Sequence, residues 1–517
     1  MMREEPAAFR RRLGVGALAL GMLVSPAQAF AQAKTPTVED LQRQIDELKA
    51  QIRVLTQNQR AAAPAASVNQ PAANQSAATI APAPATTNQA PAPDAQVAAT
   101  APATPASPAQ TATPAATPTA APPVALAAAD PPADKPWYER INVRGYTQLR
   151  LNEIISGDAT ARDGVSRLRS PGDGGITDEG NFTFRRIRLV FSGDLSDSVS
   201  FYFQPDFAVA VSNQSAGERR EGFAQLRDAY VDWSPWADRR FRFRFGQQKV
   251  PFGWENLQSS SNRLTLDRSD GINSAIPGER DLGVTAFFTP AAVQRIWDRL
   301  EDDGQKLFGN YGAFGLGLYN GQGVNRPERN NDLMSVAMAT WPFELDGLGT
   351  TFAGQVLEVG ASGMRNRVRP EIRTGGVSDA SFRDDRVGVH LILYPQPFGL
   401  QAEWNWGRGP EYDPLLGTIR TRSLSGGYVQ AMGRVRQSPL GPFMPYVRWQ
   451  TYRGGWKAIV NAPRLETDEI ELGIEFQPIE ELELTLAYAD MTRREADERR
   501  FGRAEGDVIR AQLQWNY

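Results

Sequence analysis

Residues 506–517, at the carboxyl end of the chain, read GDVIRAQLQWNY. From Ile509 onward the odd positions are Ile, Ala, Leu, Trp and Tyr, and the even positions are Arg, Gln, Gln and Asn. Because side chains alternate between the two faces of a β-strand, this segment has one apolar and one polar face. Strands of outer-membrane barrels face lipid on one side and water on the other, with aromatic residues at the membrane boundary. The segment therefore predicts a transmembrane barrel, and the alternative is the last strand of a soluble β-sandwich.

The composition of the 517 residues argues against several classes of function. The chain has no Cys and a single His, His390, which argues against thiolate metal sites, disulfide frameworks and most His-dependent catalysis. After the N-terminus no stretch offers the roughly 18 consecutive apolar residues of a membrane-spanning helix. Basic residues comprise 50 Arg and 6 Lys, against 59 Asp and Glu. We expect no enzyme activity, no cofactor, no metal site and no nucleic-acid partner.

Residues 1–33 have the pattern of a cleaved secretory signal peptide. Three arginines at 10–12 precede an apolar run at 13–24, and two A-x-A sites follow. Cleavage is expected after Ala29 or Ala33. The mature protein is therefore predicted to be exported, with the outer membrane of a Gram-negative cell as its destination.

Two further segments precede the predicted barrel. In residues 38–58, apolar side chains spaced three and four residues apart predict a short coiled-coil helix, the alternative being a lone amphipathic helix that packs on the barrel. These side chains are Val38, Leu41, Ile45, Leu48, Ile52 and Leu55. Residues 59–136 are rich in Ala and Pro and have almost no charge, so they cannot bury enough apolar surface to fold. We expect a disordered linker there.

Residues 138–517 alternate in short runs that predict an all-β fold, a 16-stranded antiparallel transmembrane β-barrel. An even number of strands is typical of bacterial single-chain barrels, as are short turns on one side and longer loops on the other. The strand candidates are 140–152, 182–193, 198–209, 223–234, 239–248, 282–289, 310–320, 333–343, 351–359, 385–394, 399–406, 423–433, 441–452, 467–476, 482–490 and 506–517.

The connections between these candidates alternate between long and short, as expected for a barrel, with one exception. Connections 153–181, 210–222, 249–281, 360–384, 407–422 and 491–505 are long and are predicted to be outer loops. The exception is 290–309, a long connection on the short-turn side with helical spacing at Val293, Trp297 and Leu300. It predicts either a periplasmic insertion or a miscounted strand.

Arginines alternate with apolar residues in several of these strands. In 239–248, for example, phenylalanines at odd positions alternate with Arg240, Arg242 and Arg244. Guanidinium groups in a pore wall favour anions, and their planar forks suit phosphate or carboxylate oxygens. The predicted luminal arginines are Arg144, Arg150, Arg186, Arg188, Arg240, Arg242, Arg244, Arg448 and Arg510. The alternative is that they pair with luminal acids, namely Glu403, Glu471, Glu475 and Asp228, and only hold the wall together.

Several short motifs in the first half of the predicted barrel carry a family resemblance. They are FRRIRL at 184–189, followed by Gly193, FYFQPDF at 201–207, DAYVD at 228–232 and GQQKVPFGWE at 246–255. These motifs resemble the phosphate-selective porin O/P family. The resemblance implies a sixteen-stranded trimeric porin with an arginine ladder and a third outer loop folded inward at the constriction.

In this chain that loop would be 249–281, which bears Lys249, Arg263 and Arg268. Family members that prefer phosphate place lysines at the constriction, whereas only Lys249, Lys306 and Lys457 follow residue 135 here. The resemblance therefore predicts the family more firmly than the solute.

The function predicted from the sequence is passive diffusion of small hydrophilic solutes through an outer-membrane porin, with a bias toward anions such as phosphate. The expected partners are membrane lipid, small anions, two further copies of the chain, and the cell wall through the N-terminal coil. One alternative is a structural tether, a barrel that mainly anchors the coil to the cell wall. Another is a secreted β-rich binding or hydrolytic domain.

Overall fold

The computed structural model describes residues 136–162, 166–168, 173–209, 223–439, 441–496 and 502–517. The predicted signal peptide and coiled coil lie outside the described residues, as does all but the last residue of the linker. Within the described ranges, sixteen antiparallel strands close into one barrel and two short strands form a separate ribbon. The predicted all-β barrel of sixteen strands is confirmed, whereas the segment boundaries before it stay predictions.

In chain order the strands are β1 (Asn142–Gly157), β2 (Asn181–Ser196), β3 (Val199–Val209), β4 (Phe223–Trp233), β5 (Phe241–Lys249), β6 (Arg280–Phe288), β7 (Phe314–Tyr319), β8 (Met334–Glu344), β9 (Val356–Arg365), β10 (Arg367–Val368), β11 (Phe382–Arg383), β12 (Asp385–Leu393), β13 (Phe398–Asp413), β14 (Thr418–Gly433), β15 (Phe443–Gly455), β16 (Arg464–Ile479), β17 (Leu482–Ala496) and β18 (Ala504–Asn516). Strands β10 and β11 form the ribbon. The helices are α1 (Trp254–Leu257), α2 (Asp270–Asn273) and α3 (Ala291–Asp302), and single 3-10 turns lie at Trp137–Arg140, Asp346–Leu348 and Thr350–Phe352. In the described part of the chain, no helix has the length and apolar character needed to cross a membrane.

Alternation along most strands separates an apolar outer face from a polar luminal face. On β18 the Ile509 side chain is 47% exposed, whereas Arg510 beside it is only 2% exposed. On β5, Phe241 and Phe245 are likewise exposed, and Arg242 between them is buried. An apolar band outside a polar interior is the arrangement of a barrel in lipid.

The carboxyl end of the chain closes the barrel. Strand β18 pairs with β1, and the backbone of Tyr517 exchanges two hydrogen bonds with that of Gly145 (2.6 and 3.0 Å). A Cβ on Gly145 would lie 2.4 Å from the carbonyl oxygen of Arg188 and 2.6 Å from the Tyr517 ring. Glycine is therefore required where the terminal aromatic residue covers the seam.

Some outer connections are shorter than the sequence predicts. The predicted loop 407–422 is mostly strand, because β13 runs to Asp413 and β14 begins at Thr418, and these two residues pair. Likewise 491–505 loses residues at both ends to β17 and β18. The reason is physical: apolar alternation marks only the part of a strand that faces lipid, and a strand can continue beyond the bilayer with both faces polar.

The exceptional connection 290–309 contains the helix α3, so it is an insertion and not a miscounted strand. Its side chains Val293, Trp297 and Leu300 are buried, as their helical spacing predicts. The connection lies at the short-turn end of the barrel, together with tight links such as 197–198 and 480–481. In barrels of this type the short turns are periplasmic.

Candidate functional site

The connection between β5 and β6, residues 250–279, folds back into the barrel and is called the constriction loop below. It contains α1 and α2 and is buried along most of its length. The backbone amides of Trp254 and Glu255 donate to the carboxylate of Glu403 on β13, at 2.7 and 3.0 Å. At another part of the wall, the side-chain amide of Gln514 on β18 donates to the carbonyl of Ser261 in the loop at 3.1 Å. The loop therefore lies across the lumen, where the family resemblance places a constriction.

Ion pairs anchor the constriction loop to the barrel wall. Three loop carboxylates each contact an arginine on a strand, and these arginine side chains are at most 3% exposed. The pairs are Glu255 with Arg448 (2.7 Å), Asp267 with Arg150 (2.9 Å) and Asp270 with Arg493. Removing one partner of a buried pair typically costs about 3–5 kcal/mol, because the other charge is left uncompensated. The loop is therefore held firmly in place.

Two carboxylates of the constriction loop, those of Asp267 and Glu279, have lowered pKa values and stay ionised well into the acidic range. Burial alone would raise the pKa of Asp267, but Arg150 and Arg510 hold this pKa well below its usual value. Burial likewise opposes ionisation of Glu279, whose pKa is held well below its usual value by Arg268 and the neighbouring cations. The ion pairs of these two acids should therefore persist at pH values at which free carboxylates begin to take up protons.

Three of the predicted ladder arginines are paired with carboxylates on neighbouring strands. On β2, Arg188 contacts Asp206 at 2.7 Å. On β5, Arg244 contacts Asp232 at 2.7 Å and Arg242 contacts the same carboxylate at 3.4 Å. All three face the lumen and are buried. For these residues the structure agrees with the alternative in which the arginines hold the wall.

The structure does not bring Arg240 to the other ladder residues. It precedes β5, is half-exposed, and donates to Asp238 in the turn at 2.6 Å. Arg144 lies on β1 on the same face as Arg150, partly buried toward the short-turn end. The alternation of luminal and outward side chains therefore includes Arg242 and Arg244, but it does not include Arg240.

Two of the three predicted loop cations stabilise the fold of the constriction loop itself. Lys249 donates to the carbonyls of Leu257 (3.2 Å) and Gln258 (2.7 Å). Arg268 contacts the carboxylate of Glu279 at 3.2 Å. These cations are therefore engaged by the loop's own backbone and acids.

Arg186 and Arg263 differ from the other buried arginines of the predicted site, because neither forms an ion pair with a carboxylate among the described residues. Both are buried, at 5% and 7% exposure. Arg186 donates to the amide oxygen of Gln148 at 2.6 Å, but its Nε has no acceptor among the described residues. The same holds for Nε and one Nη of Arg263. Gln148 in turn donates to the carbonyl of Ser260 at 3.1 Å, which ties Arg186 to the part of the loop that carries Arg263.

Sequence reasoning missed Arg185, which also contacts the constriction loop. Gln148 pairs with Arg186 but Leu149 pairs with Phe184, so Arg185 is the extra residue of a β-bulge. Its side chain contacts Asp267 at 3.3 Å. Two consecutive arginines, which break the alternation, were the only signal for this arrangement in the sequence.

The luminal acids named from the sequence all have partners. Glu403 binds the loop amides, Glu471 accepts from Tyr446 (2.8 Å), Glu475 contacts Lys306 (2.9 Å) and Asp228 contacts Arg280 (2.8 Å). Further buried arginines that the sequence did not single out, Arg280, Arg386 and Arg493, contact carboxylates as well. The lumen is therefore a dense network of ion pairs.

Two small cavities flank the loop segment 264–268. The outer cavity is lined by Asp267, Arg268, Arg448, Glu471, Arg493 and Arg510. The inner cavity is lined by Gln258, Leu264, Lys306, Tyr394, Met432 and Met444. Their wall residues belong to β15–β18 and β13–β15 respectively and to the end of β12, so the cavities lie on that side of the lumen.

A family model described as phosphate-selective porin O and P matches residues 161–517. Among solved structures, the outer membrane channel DcaP of Acinetobacter baumannii is 15% identical with a TM-score of 0.46, covering 73% of this chain and 97% of that one. The anion-selective porin from Comamonas acidovorans is 10% identical with a TM-score of 0.43, covering 73% and 99%. A comparison with curated proteins found no match. Since the family model spans more than half of the sequence, the chain belongs to the phosphate-selective porin O and P family and is an outer-membrane porin.

Proposed function

We propose that this porin is a passive channel for small hydrophilic solutes that favours anions through Arg186 and Arg263. The supporting observation is that both guanidinium groups are buried, form no ion pair with a carboxylate among the described residues, and have nitrogen atoms without an acceptor there. A buried charge without a partner is unfavourable, so an anion that enters the lumen is stabilised there. Phosphate and carboxylate oxygens match the donor geometry of guanidinium.

This proposal assigns anion selectivity to fewer residues than the arginine ladder that the sequence predicts. Arg188 contacts Asp206, and Arg242 and Arg244 share the carboxylate of Asp232, so these three arginines together add one net positive charge to the lumen and not three. Selectivity is then carried mainly by Arg186 and Arg263, which form no ion pair with a carboxylate among the described residues. Because the chain has few lysines, we propose oxygen anions as the class and phosphate as one member of it.

Reversal potentials in planar bilayers test the proposal. In the double variant Arg186→Gln plus Arg263→Gln, the anion-to-cation permeability ratio should fall about tenfold, since each removed charge is worth about 1 kcal/mol in a wet pore and salt screens part of it. Arg240→Gln is the matched control, because Arg240 lies in a turn and contacts Asp238. An unchanged ratio in the double variant, or an equal fall in the control, would contradict the assignment.

We also propose that the protein is a homotrimer whose mature N-terminus follows Ala29 or Ala33. Family membership supports the trimer, and the pattern of residues 1–33 supports the cleavage. Light scattering of the detergent-extracted protein gives the number of chains, and N-terminal sequencing gives the cleavage site. A monomeric mass, or an intact residue 1, would refute the respective statement.

A further inference from the structure

The connection between β6 and β7 enters the barrel from the short-turn end, and residues 290–313 are called the inner segment below. Its helix α3 buries Val293, Trp297 and Leu300, which are spaced four and three residues apart and so lie on one helix face. Most of the residues between these three remain partly or fully exposed. The buried face must therefore pack against the inside of the barrel or against the constriction loop.

On one side, the inner segment is bound to the luminal face of the barrel. The indole nitrogen of Trp297 donates to the carboxylate of Glu358 on β9 at 3.0 Å. The same carboxylate accepts from Thr340 of β8 at 2.7 Å and from Tyr394, just after β12, at 2.8 Å. Glu358 is fully buried, and three donors from three parts of the fold converge on it. This network fixes the position of the helix against the wall.

At its inward side, the inner segment meets the constriction loop. The ring of Phe308 lies 5.3 Å from that of Trp297 and 5.8 Å from that of Trp254 in the loop. The loop side chains of Gln258 and Asn262 donate to backbone carbonyls of the inner segment at 3.2 and 2.8 Å. Two elements that enter from opposite ends of the barrel thus share one apolar core.

On the far side, ion pairs join the inner segment to other strands. Lys306 contacts Glu475 of β16 at 2.9 Å. Asp303 contacts Arg434 and Arg436, both in the turn between β14 and β15, at 3.1 and 2.6 Å. The segment therefore reaches from the β8–β9 wall to β16, which lies five strands from β9 around the barrel. Lys306 also lines the inner cavity, which is the space left beside the segment.

We propose that the inner segment is a second constriction, which sets the size limit of the channel on the periplasmic side of the constriction loop. This inference rests on the proposed function, because a size limit requires a conducting pore. A helix with its side chains is about 10 Å across, so it occupies a large share of the interior of a sixteen-stranded barrel. Removing it should widen the inner passage while both Arg186 and Arg263, which lie outside the removed residues, stay in the chain.

The test replaces residues 291–306 of the full chain with a short Gly/Ser turn and measures two properties. Single-channel conductance should rise at least about twofold, because the helix cross-section becomes available to ions. Liposome swelling should admit neutral sugars larger than those that the wild type admits, while anion preference keeps its sign. The control removes residues 372–379 in the outer connection that carries the ribbon, and it should change neither property. An inserted barrel with wild-type conductance and size limit would overturn the proposal.

If the shortened chain does not insert, a point variant tests whether the inner segment is a second constriction. Trp297→Ala removes the bond to Glu358 and the contact with Phe308, so larger and more frequent conductance fluctuations are expected. Trp236→Ala, an exposed residue in another short turn, is the control. Recordings of Trp297→Ala that match the wild type would overturn the second constriction and leave the anion channel standing. A wild-type barrel that does not conduct would refute the proposed function as well.

Discussion

The pair of Arg448 and Glu255 allows a quantitative test of how the constriction loop is held. Arg448 on β15 donates to the Glu255 carboxylate at 2.7 Å, and its guanidinium lies 4.0 Å from the centroid of the Tyr428 ring. Glu255 is fully buried in α1. The substitution Arg448→Met keeps an adaptable side chain against the ring but removes the charge that compensates the carboxylate.

In the variant, Glu255 must either remain charged without its partner or take up a proton. Protonation at pH 7 costs about 1.36 kcal/mol for each pH unit above the ordinary glutamate pKa of about 4.3, which amounts to about 3.7 kcal/mol. This value lies within the range of about 3–5 kcal/mol for breaking a buried pair. At pH 5 the same cost falls to about 1 kcal/mol.

In the wild type, the contribution of the pair to stability decreases as the pH falls, whereas in the variant it is the cost of the unpaired carboxylate that decreases. Burial would raise the pKa of Glu255, but Arg448 and the hydrogen bonds around the carboxylate lower it below its usual value. A lowered folded-state pKa stabilises the protein above the unfolded-state pKa, and this stabilisation is lost as the pH falls through the folded-state value. Between pH 7 and pH 5 the wild-type pair should therefore retain most of its contribution.

Urea unfolding of the barrel in liposomes, followed by tryptophan fluorescence at both pH values, measures these differences. Arg448→Met should lower the free energy of unfolding by about 3–4 kcal/mol at pH 7 and by about 1 kcal/mol at pH 5. Adding Glu255→Gln should recover most of the loss, and Arg240→Met should stay within about 0.5 kcal/mol of the wild type. An equal loss at both pH values, or none at pH 7, would refute the reasoning.

Three further predictions follow from the described contacts. Gly145→Ala should destabilise the barrel by about 1–3 kcal/mol in urea, because the new Cβ would lie 2.4 Å from the carbonyl oxygen of Arg188; unchanged stability would show that the seam has room. Since the pKa values of Asp267 and Glu279 are held well below normal, the contribution of these two acids to conductance should be constant from pH 7 to pH 5; a conductance step near pH 5 that disappears in Asp267→Asn would contradict this. Deleting residues 34–135 should leave conductance and anion preference unchanged, whereas loss of envelope integrity in the deletion strain would support the tether.

The barrel could be predicted from the sequence because its pattern is local. Alternation such as Ile509 outside and Arg510 inside reports on each strand separately, and all sixteen barrel strands were found in this way. The ends of the strands were less predictable, since β13 continues to Asp413 where lipid no longer requires an apolar face. The helix in 290–309 was visible as helical spacing, but its position inside the barrel depends on contacts with distant strands such as that of Trp297 with Glu358.

The candidate site was predicted only in part, because pairing in the lumen is not local. Alternation placed Arg186 and Arg188 on one face, but it could not show that Arg188 contacts Asp206 while Arg186 has no carboxylate partner. That difference depends on strand register and on the path of the constriction loop. The bulge that turns Arg185 inward is likewise a departure from the alternation on which the prediction depended.

The reversal potential of the full-length wild-type porin, recorded in a planar bilayer across an about tenfold gradient of potassium chloride, is the most direct test of the channel and of its charge preference. The guanidinium groups of Arg186 and Arg263, which form no ion pair among the described residues, predict a potential close to the equilibrium potential of chloride. A potential close to that of potassium, or inserted protein without conductance, would contradict the account.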